Sequence, residues 1–460
     1  MPRSVKNIAC VSALLACVQM PQAAGAQQTG WEKTDTANSY ELTITHHPEG
    51  DASDDTITLH SDTAPPDVFA AASHAAPATG RQGKAVRLQG ILTTDSTATG
   101  AALWIAAYAG TKQVAFSNTQ SDPVPASSQN VTHTTLVLIP RDATRLVFGV
   151  LLKGKGKVTA SSLTLSALDD EKLPDGTPLP EAVMQKALSD IKENAVNASH
   201  IDWKTEMPRL LALSHAALLA DVYANLRALI KNLDDHHSLV IPPWKKSGFE
   251  QMWRAPPEAK TLSAGINTIG LTGFTPHSPQ EMSAYRDALL STIRSLAPAK
   301  GWVLDLRKDQ GGNMWPMLAG LKPFLGDAPL GYFVTISGEK SRPWKETLPI
   351  DHQGMAQPDL STIPVAVLIG PHTASSGEAV AIAFKGRPNT RFFGTPTAGL
   401  TSSNRTFRLP DGGIMPIATS FEADRTGVIY KHGVEPDEHI EDETATIQAA
   451  TLWLHTLTVP

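Results

Sequence analysis

Three separated segments of this 460-residue chain carry residues whose types and spacing could do chemistry. In Gly370-Pro-His-Thr-Ala-Ser-Ser-Gly-Glu378 an apolar run, 363–370, passes into small and hydroxyl residues and then into a helical pattern from Ser376 to Phe384. A serine at a strand-to-helix junction lies where first-turn amides and the helix dipole favour a developing negative charge. Ser375 or Ser376 could equally be an N-cap, the commonest work of serine at that position. In Val303-Leu-Asp-Leu-Arg-Lys-Asp-Gln-Gly-Gly-Asn313, Gly311 and Gly312 allow positive φ and uncover amides that could hold an oxyanion, or they simply make a turn. Asp305 and Arg307 read as a local ion pair. In Leu233-Asp-Asp-His-His-Ser-Leu239, an imidazole titrating near neutrality could act as a general base, or the histidines could close a solvated helix end. The adjacent histidines lack the i, i+4 spacing of a zinc helix, and the glycines fit neither a dinucleotide fingerprint nor a phosphate loop.

Elements that would position these segments follow from periodicity. Buried strands at 264–271, 301–306 and 363–370 alternate with helices at 279–296, through 321, and 376–384, and a short strand at 391–394 precedes Thr395-Pro-Thr-Ala-Gly399. Such alternation predicts an α/β layer with right-handed crossovers. Upstream, residues 181–245 read as a small helical subdomain. Val183, Ala187, Leu188 and Ile191 share one face, as do Leu211, Leu213, Ala217 and Leu218 with neighbours up to Ile230. Residues 171–180, rich in proline, read as a linker. Residues 27–170 carry short strands, clearest at 84–92, 101–106, 134–139 and 145–152, which predict a β-sandwich of jelly-roll type. This part loosely resembles carbohydrate-binding jelly rolls. Trp31 and Trp104 are then either sugar platforms or, as isolated strand tryptophans more often are, core residues. The expected architecture is therefore α+β and multidomain.

The chain opens with Arg3 and Lys6, an apolar stretch 8–20, Pro21 and Gln22-Ala-Ala-Gly-Ala26. This predicts a signal peptide over 1–26 cleaved after Ala26, and hence a periplasmic or secreted protein. Leu14-Leu-Ala-Cys17 is an alternative lipoprotein processing site that would leave a lipidated Cys17. The apolar stretch is too short for a retained span. The only cysteines, Cys10 and Cys17, lie in this leader, which leaves no disulfide and no thiolate chemistry beyond it. A hydrophobic content of 41% supports a sizeable core, and a net charge of −6 gives no electrostatic footprint for nucleic acid.

Taken together, the three segments resemble the C-terminal-processing, or tail-specific, serine peptidases and the related tricorn core protease. Val303-Leu-Asp-Leu-Arg with Gly311-Gly312 is similar to the family's oxyanion strand and turn. Gly370 to Glu378 is similar to its nucleophile segment, and Gly394-Thr-Pro-Thr-Ala-Gly399 and His432-Gly-Val-Glu-Pro-Asp437 to its two later signature turns. The resemblance runs from about Leu233 to Asp437. It implies Ser375 as nucleophile, amides of Gly311, Gly312 and Ser376 at the oxyanion, no metal or other cofactor, and a crotonase- or ClpP-like catalytic domain over 246–460. The substrate it implies is a peptide or protein; a glycan at the N-terminal domain is a further candidate partner. Leu400 stands where the Ser-Lys branch has its base, so the resemblance turns to the tricorn-like branch, with His237 as base and His236 as a neighbour that could orient it. Where that branch has a glutamate this chain has Tyr430, and Asp424 is the candidate acid. No PDZ-like segment is evident. A degenerate binding protein and an esterase on the same scaffold are the alternatives.

Overall fold

The computed structural model describes residues 30–35, 37–46, 55–245, 257–263, 265–276, 278–348 and 357–458; the leader with Cys10 and Cys17 lies outside them. The chain divides into two compact units, one ending at Leu168 and one beginning at Asp169.

The first unit contains ten strands: β1 (Glu32–Asp35), β2 (Glu41–Thr45), β3 (Thr56–Ser61), β4 (Phe69–Pro77), β5 (Ala85–Thr94), β6 (Ala101–Ala109), β7 (Lys112–Asn118), β8 (Val131–Leu138), β9 (Arg145–Lys153) and β10 (Gly156–Ala167). They form two five-stranded antiparallel sheets, ordered β1-β4-β9-β6-β7 and β2-β3-β10-β5-β8. Alternation along β3 and β5 sends Ile57, Leu59, Leu88 and Leu92 into one core with Leu103, Ile105, Val150 and Leu152 of the other sheet, as the period of two requires. Both tryptophans are packing residues. Trp31 is 9% exposed, and its indole N–H donates to Asp55 Oδ2 at 3.1 Å. Trp104 is 4% exposed among Ala71, Ala102, Ala106, Val147 and Leu151, so neither indole is an exposed platform for a sugar.

The second unit begins with a closed turn, in which Leu173 N–H donates to Thr177 O at 2.8 Å, over the residues expected as a linker. Helices α1 (Leu179–Asn194), α2 (Trp203–Ser214) and α3 (Leu219–Lys231) follow. Val183, Ala187, Leu188 and Ile191 form the buried face of α1. The continuous face expected from Leu211 through Leu218 is broken. Leu210 and Ser214 are the buried residues of α2, Leu218 is extended, and Asp169 Oδ1 accepts from Leu219 N–H at 2.6 Å to start α3 anew. A carboxylate brought from 50 residues upstream thus defines a boundary that local spacing does not reveal.

The rest of the unit comprises β11 (Glu258–Ser263), β12 (Ile266–Phe274), α4 (Pro279–Leu296), β13 (Gly301–Gly312), α5 (Met314–Gly320), α6 (Lys322–Leu325), β14 (Gly331–Val334), β15 (Val365–Ile369), α7 (Ser376–Phe384), β16 (Thr390–Gly394), β17 (Ser402–Arg408), β18 (Ile414–Asp424), β19 (Ile429–Tyr430), β20 (Glu438–His439) and α8 (Glu443–Thr458). Strands β11-β12-β13-β15-β16-β20 make a six-stranded sheet, parallel from β12 onward with β11 antiparallel at one edge. Its faces are both covered, which explains the near-continuous apolar runs. Trp302, Leu304, Val365 and Val367 join the core with α4, α5 and α7, whereas Val303, Ala366 and Leu368 meet Ala450 and Leu454 of α8. A smaller antiparallel sheet, β14-β18-β17 with β19 on β18, stands beside it. Among the described residues no helix is long and apolar enough to cross a membrane.

Candidate active site

The carboxyl ends of β13 and β15 meet at Ser375, as ligand sites in parallel sheets generally do. After β15 the chain turns tightly. Thr373 Oγ1 donates to Leu306 O at 2.8 Å, and Ala374 N–H donates to Asp309 O at 2.9 Å, so the turn is tied to β13. Ser375 occupies the N-cap position of α7 with φ +52° and ψ −118°, a conformation that costs a non-glycine residue about 1–3 kcal/mol. Glu378 holds it there. Its buried carboxylate accepts from Ser375 N–H (2.9 Å), Leu400 N–H (2.8 Å), Gly399 N–H (2.8 Å) and Thr397 Oγ1 (2.5 Å). Burial nevertheless raises the Glu378 pKa against those four donors. Beneath it, burial and the Glu378 charge hold Glu422 well above the usual carboxylate range.

His237 approaches from a loop after α3. Asp234 and His236 both take positive φ, at 54° and 53°, and Asp235 between them organises the turn. Its carboxylate accepts from His237 N–H (3.0 Å), Ser238 N–H (2.7 Å) and Ser238 Oγ (2.6 Å), an aspartate turn of the ordinary kind. Asn404 Nδ2 donates to His237 O at 3.0 Å. The imidazole then spans two hydroxyls: Nε2 is 3.0 Å from Ser375 Oγ, and Nδ1 is 2.8 Å from Ser402 Oγ. Burial pushes the His237 pKa down to about 4, against the opposing pull of Asp235 and Ser402. The ring is therefore neutral at neutral pH, the form able to take a proton.

Several expectations need correction. His236 does not orient the ring: its side chain is 79% exposed and its Nε2 lies 3.4 Å from Asp234 Oδ1, because the positive φ at this residue turns it to solvent. Asp424 is not the third member. Its oxygens accept from Thr426 N–H, Thr426 Oγ1 and Val428 N–H in the β18–β19 hairpin and from Tyr430 Oη at 3.0 Å, while Ser402 occupies Nδ1. Gly311 and Gly312 do take positive φ, 104° and 114°, and a Cβ on Gly311 would lie 2.8 Å from Ser375 Cβ. The Gly311 amide, however, donates to Asp309 Oδ1 at 3.1 Å and is engaged in this arrangement. Asp309 is fully buried, and burial raises its pKa to about 7. Ser376 begins α7, where a first-turn amide has no intrahelical acceptor, and its hydroxyl donates to Gly312 O at 2.8 Å. Asp305 and Arg307 form the ion pair read from the sequence, at 2.7 Å.

Sequence reasoning missed Ser402, Asp235 and the binding role of Glu378. The Asp-x-His-Ser spacing could have revealed Asp235. Nothing local points to Ser402, which is 165 residues from His237. A cleft of about 540 Å³ opens beside Ser402 and Gly399, with His200, Phe421, Lys431 and His432 in its walls. Among the described residues no three His, Cys, Asp or Glu side chains gather as a metal site.

A hydroxyl within reach of a neutral imidazole, beside helix-start amides, is an arrangement that can serve acyl-transfer chemistry. The pattern of Peptidase family S41 matches residues 266–440, which includes Ser375 and stops short of the His237 loop. The Nisin-resistance protein of Lactococcus lactis subsp. lactis is 31% identical over 269 residues, 56% of this chain and 83% of that protein. A carboxyl-terminal-processing protease of Synechocystis sp. is 28% identical over 144 residues, 31% of each chain. The solved structure of a lipoprotein from Streptococcus agalactiae superposes with a TM-score of 0.55 and 25% identity, covering 62% of this chain and 98% of that one. The chain thus belongs to Peptidase family S41 and is a serine-type peptidase.

Proposed function

We propose that this peptidase hydrolyses peptide bonds with Ser375 as nucleophile and His237 as general base. The observation that carries the reading is the 3.0 Å approach of His237 Nε2 to Ser375 Oγ at the amino end of α7. As Ser375 Oγ bonds to the substrate carbonyl carbon, its proton passes to Nε2, and the carbonyl oxygen becomes an oxyanion. The Ser376 amide is the first donor to it, with Gly312 the second candidate. Loss of one such donor typically lowers the rate about 10²–10³-fold. The tetrahedral species collapses as Nε2 returns the proton to the leaving amine. Water then repeats the sequence on the acyl-serine and frees the carboxylic acid.

The parallel sheet flanked by helices supports a crotonase-like catalytic domain, and the two antiparallel sheets upstream suit a jelly-roll-like accessory domain. The pattern of residues 1–26 supports export, with lipidation at Cys17 as the competing anchor. Covalent labelling by a fluorophosphonate, lost in Ser375→Ala and His237→Ala, tests the reading. A folded chain that resists labelling and cleaves no peptide would refute it. The relative from Lactococcus lactis makes nisin the first substrate to assay.

A further inference from the structure

We propose that Ser402 is the positioning residue of the histidine, taking the Nδ1–H of His237 and thereby fixing the tautomer whose Nε2 lone pair faces Ser375. The inference rests on the Ser375–His237 reading and adds the third member that neither Asp424 nor Tyr430 supplies.

Its geometry is built rather than incidental. Ser402 is the first residue of β17, is 8% exposed, and pairs with Phe421 of β18. The residue before it is fixed twice: Thr401 Oγ1 donates to Tyr430 O at 3.1 Å, and Thr401 O accepts from Glu422 N–H at 3.1 Å. Leu400, in the place of the absent base lysine, is held by Glu378 through its amide. The same turn that carries the base in the Ser-Lys branch therefore delivers, two residues later, the partner of an imidazole. The titratable groups nearby are Asp235 and His236 of its own loop, Glu378 of α7, which binds the Ser375 amide, and His200, Asp234, Lys431 and His432 in the walls of the cleft beside Ser402. Only Asp235 acts on His237 with a resolved charge effect, and its oxygens are bound to the backbone of the loop and to Ser238.

A hydroxyl partner has a consequence that a carboxylate lacks. Carboxylate oxygens only accept, so they dictate Nδ1–H; a serine can also donate, which would put the ring proton on Nε2 and idle the base. With Ser375 Oγ 3.0 Å from Nε2 and placed to donate there, the ring proton falls to Nδ1, where the Ser402 hydroxyl at 2.8 Å accepts it. In catalysis that proton stays on Nδ1, while only the Ser375 proton moves to Nε2 and onward. Because Ser402 is uncharged, it orients the imidazolium without neutralising it.

The test uses the full chain carrying Ser402→Ala, Ser402→Thr and Ser402→Asp, with kcat/KM of peptide hydrolysis followed against pH and ¹⁵N NMR of labelled histidine reporting the tautomer. We expect Nδ1–H in the wild type, and loss of that preference in Ser402→Ala with a fall in kcat/KM of about tenfold, the worth of one neutral hydrogen bond. Ser402→Thr should restore most of the activity. Ser402→Asp should move the acidic limb of the profile up by about one to three pH units, the effect of an adjacent opposite charge. A wild-type Nε2–H tautomer, or an alanine variant unchanged in both tautomer and kcat/KM, overturns the proposal. The nitrogen spectrum is read without turnover, so an inactive wild type would refute the peptidase reading while the Ser402 contact is judged separately. Matching melting temperatures exclude misfolding, and the threonine variant supplies a second readout should alanine fail to fold.

Discussion

The serine turn and the histidine loop solve the same problem with different means. Each bends through positive φ at non-glycine residues, and each is organised by one carboxylate. Glu378 is buried and gathers donors from the serine turn and from Thr397, Gly399 and Leu400, so the conformation of Ser375 is part of the core. Asp235 is half-buried and accepts from His237 and Ser238, two and three places on, so the conformation of His237 is set by a local turn. Ser375 is thus held by the fold and His237 by a loop, and the two should fail in different ways when disturbed.

The largest effect expected is on chemistry itself. Ser375→Ala should abolish labelling, and His237→Ala should lower kcat/KM by about 10²–10⁴-fold with little change in unfolding by urea. Glu378→Ala sharpens the contrast: it strands several buried donors and should reduce stability by about 3 kcal/mol or more, with activity lost alongside. Asp235→Ala should do the reverse, lowering stability by only about 1 kcal/mol, the usual worth of such a cap, while kcat/KM falls. Equal losses of stability in these two variants would break the comparison.

Acid acts on stability through two shifted groups. His237 has its folded pKa depressed to about 4 from 6.5, so the unfolded chain binds the extra proton between those values. Stability from this group is complete above about pH 6.5 and declines as pH falls toward 4. Asp309, raised to about 7 from 3.8, has the opposite sign: its contribution is complete below its unfolded value and declines as pH rises to about 7. Urea titrations of His237→Asn and Asp309→Asn against wild type should change the pH slope of stability in opposite directions.

Much of this was legible in the chain. Apolar runs at 301–306 and 363–370 announce strands covered on both faces, and the proline and glutamate after Ser278 mark where α4 begins. The Ser375 turn is legible because its essential partners, the strand before and Glu378 after, are adjacent in sequence. The histidine's partner was not, since Ser402 reaches Nδ1 only through the pairing of β17 with β18, and periodicity says nothing of which residue ends beside which. Asp424 attracted attention as an acid near the right place, yet its own hairpin supplies all the donors it can use. The engaged amide of Gly311 was equally hidden, because it depends on where Asp309 turns its carboxylate.

The stitching of the histidine loop has a mechanical consequence. Leu239 and Ile241 bond to Pro416 and Ile414 of β18, Ser238 Oγ accepts from Ala418 N–H, and Asn404 of β17 holds the His237 carbonyl. His237 is therefore carried by the small antiparallel sheet, while Ser375 is carried by the parallel one. The 2.8 Å contact to Ser402 thus lies within the small sheet, while the 3.0 Å Ser375–His237 approach crosses between the two sheets, beside the bonds from Gly399 and Leu400 to Glu378.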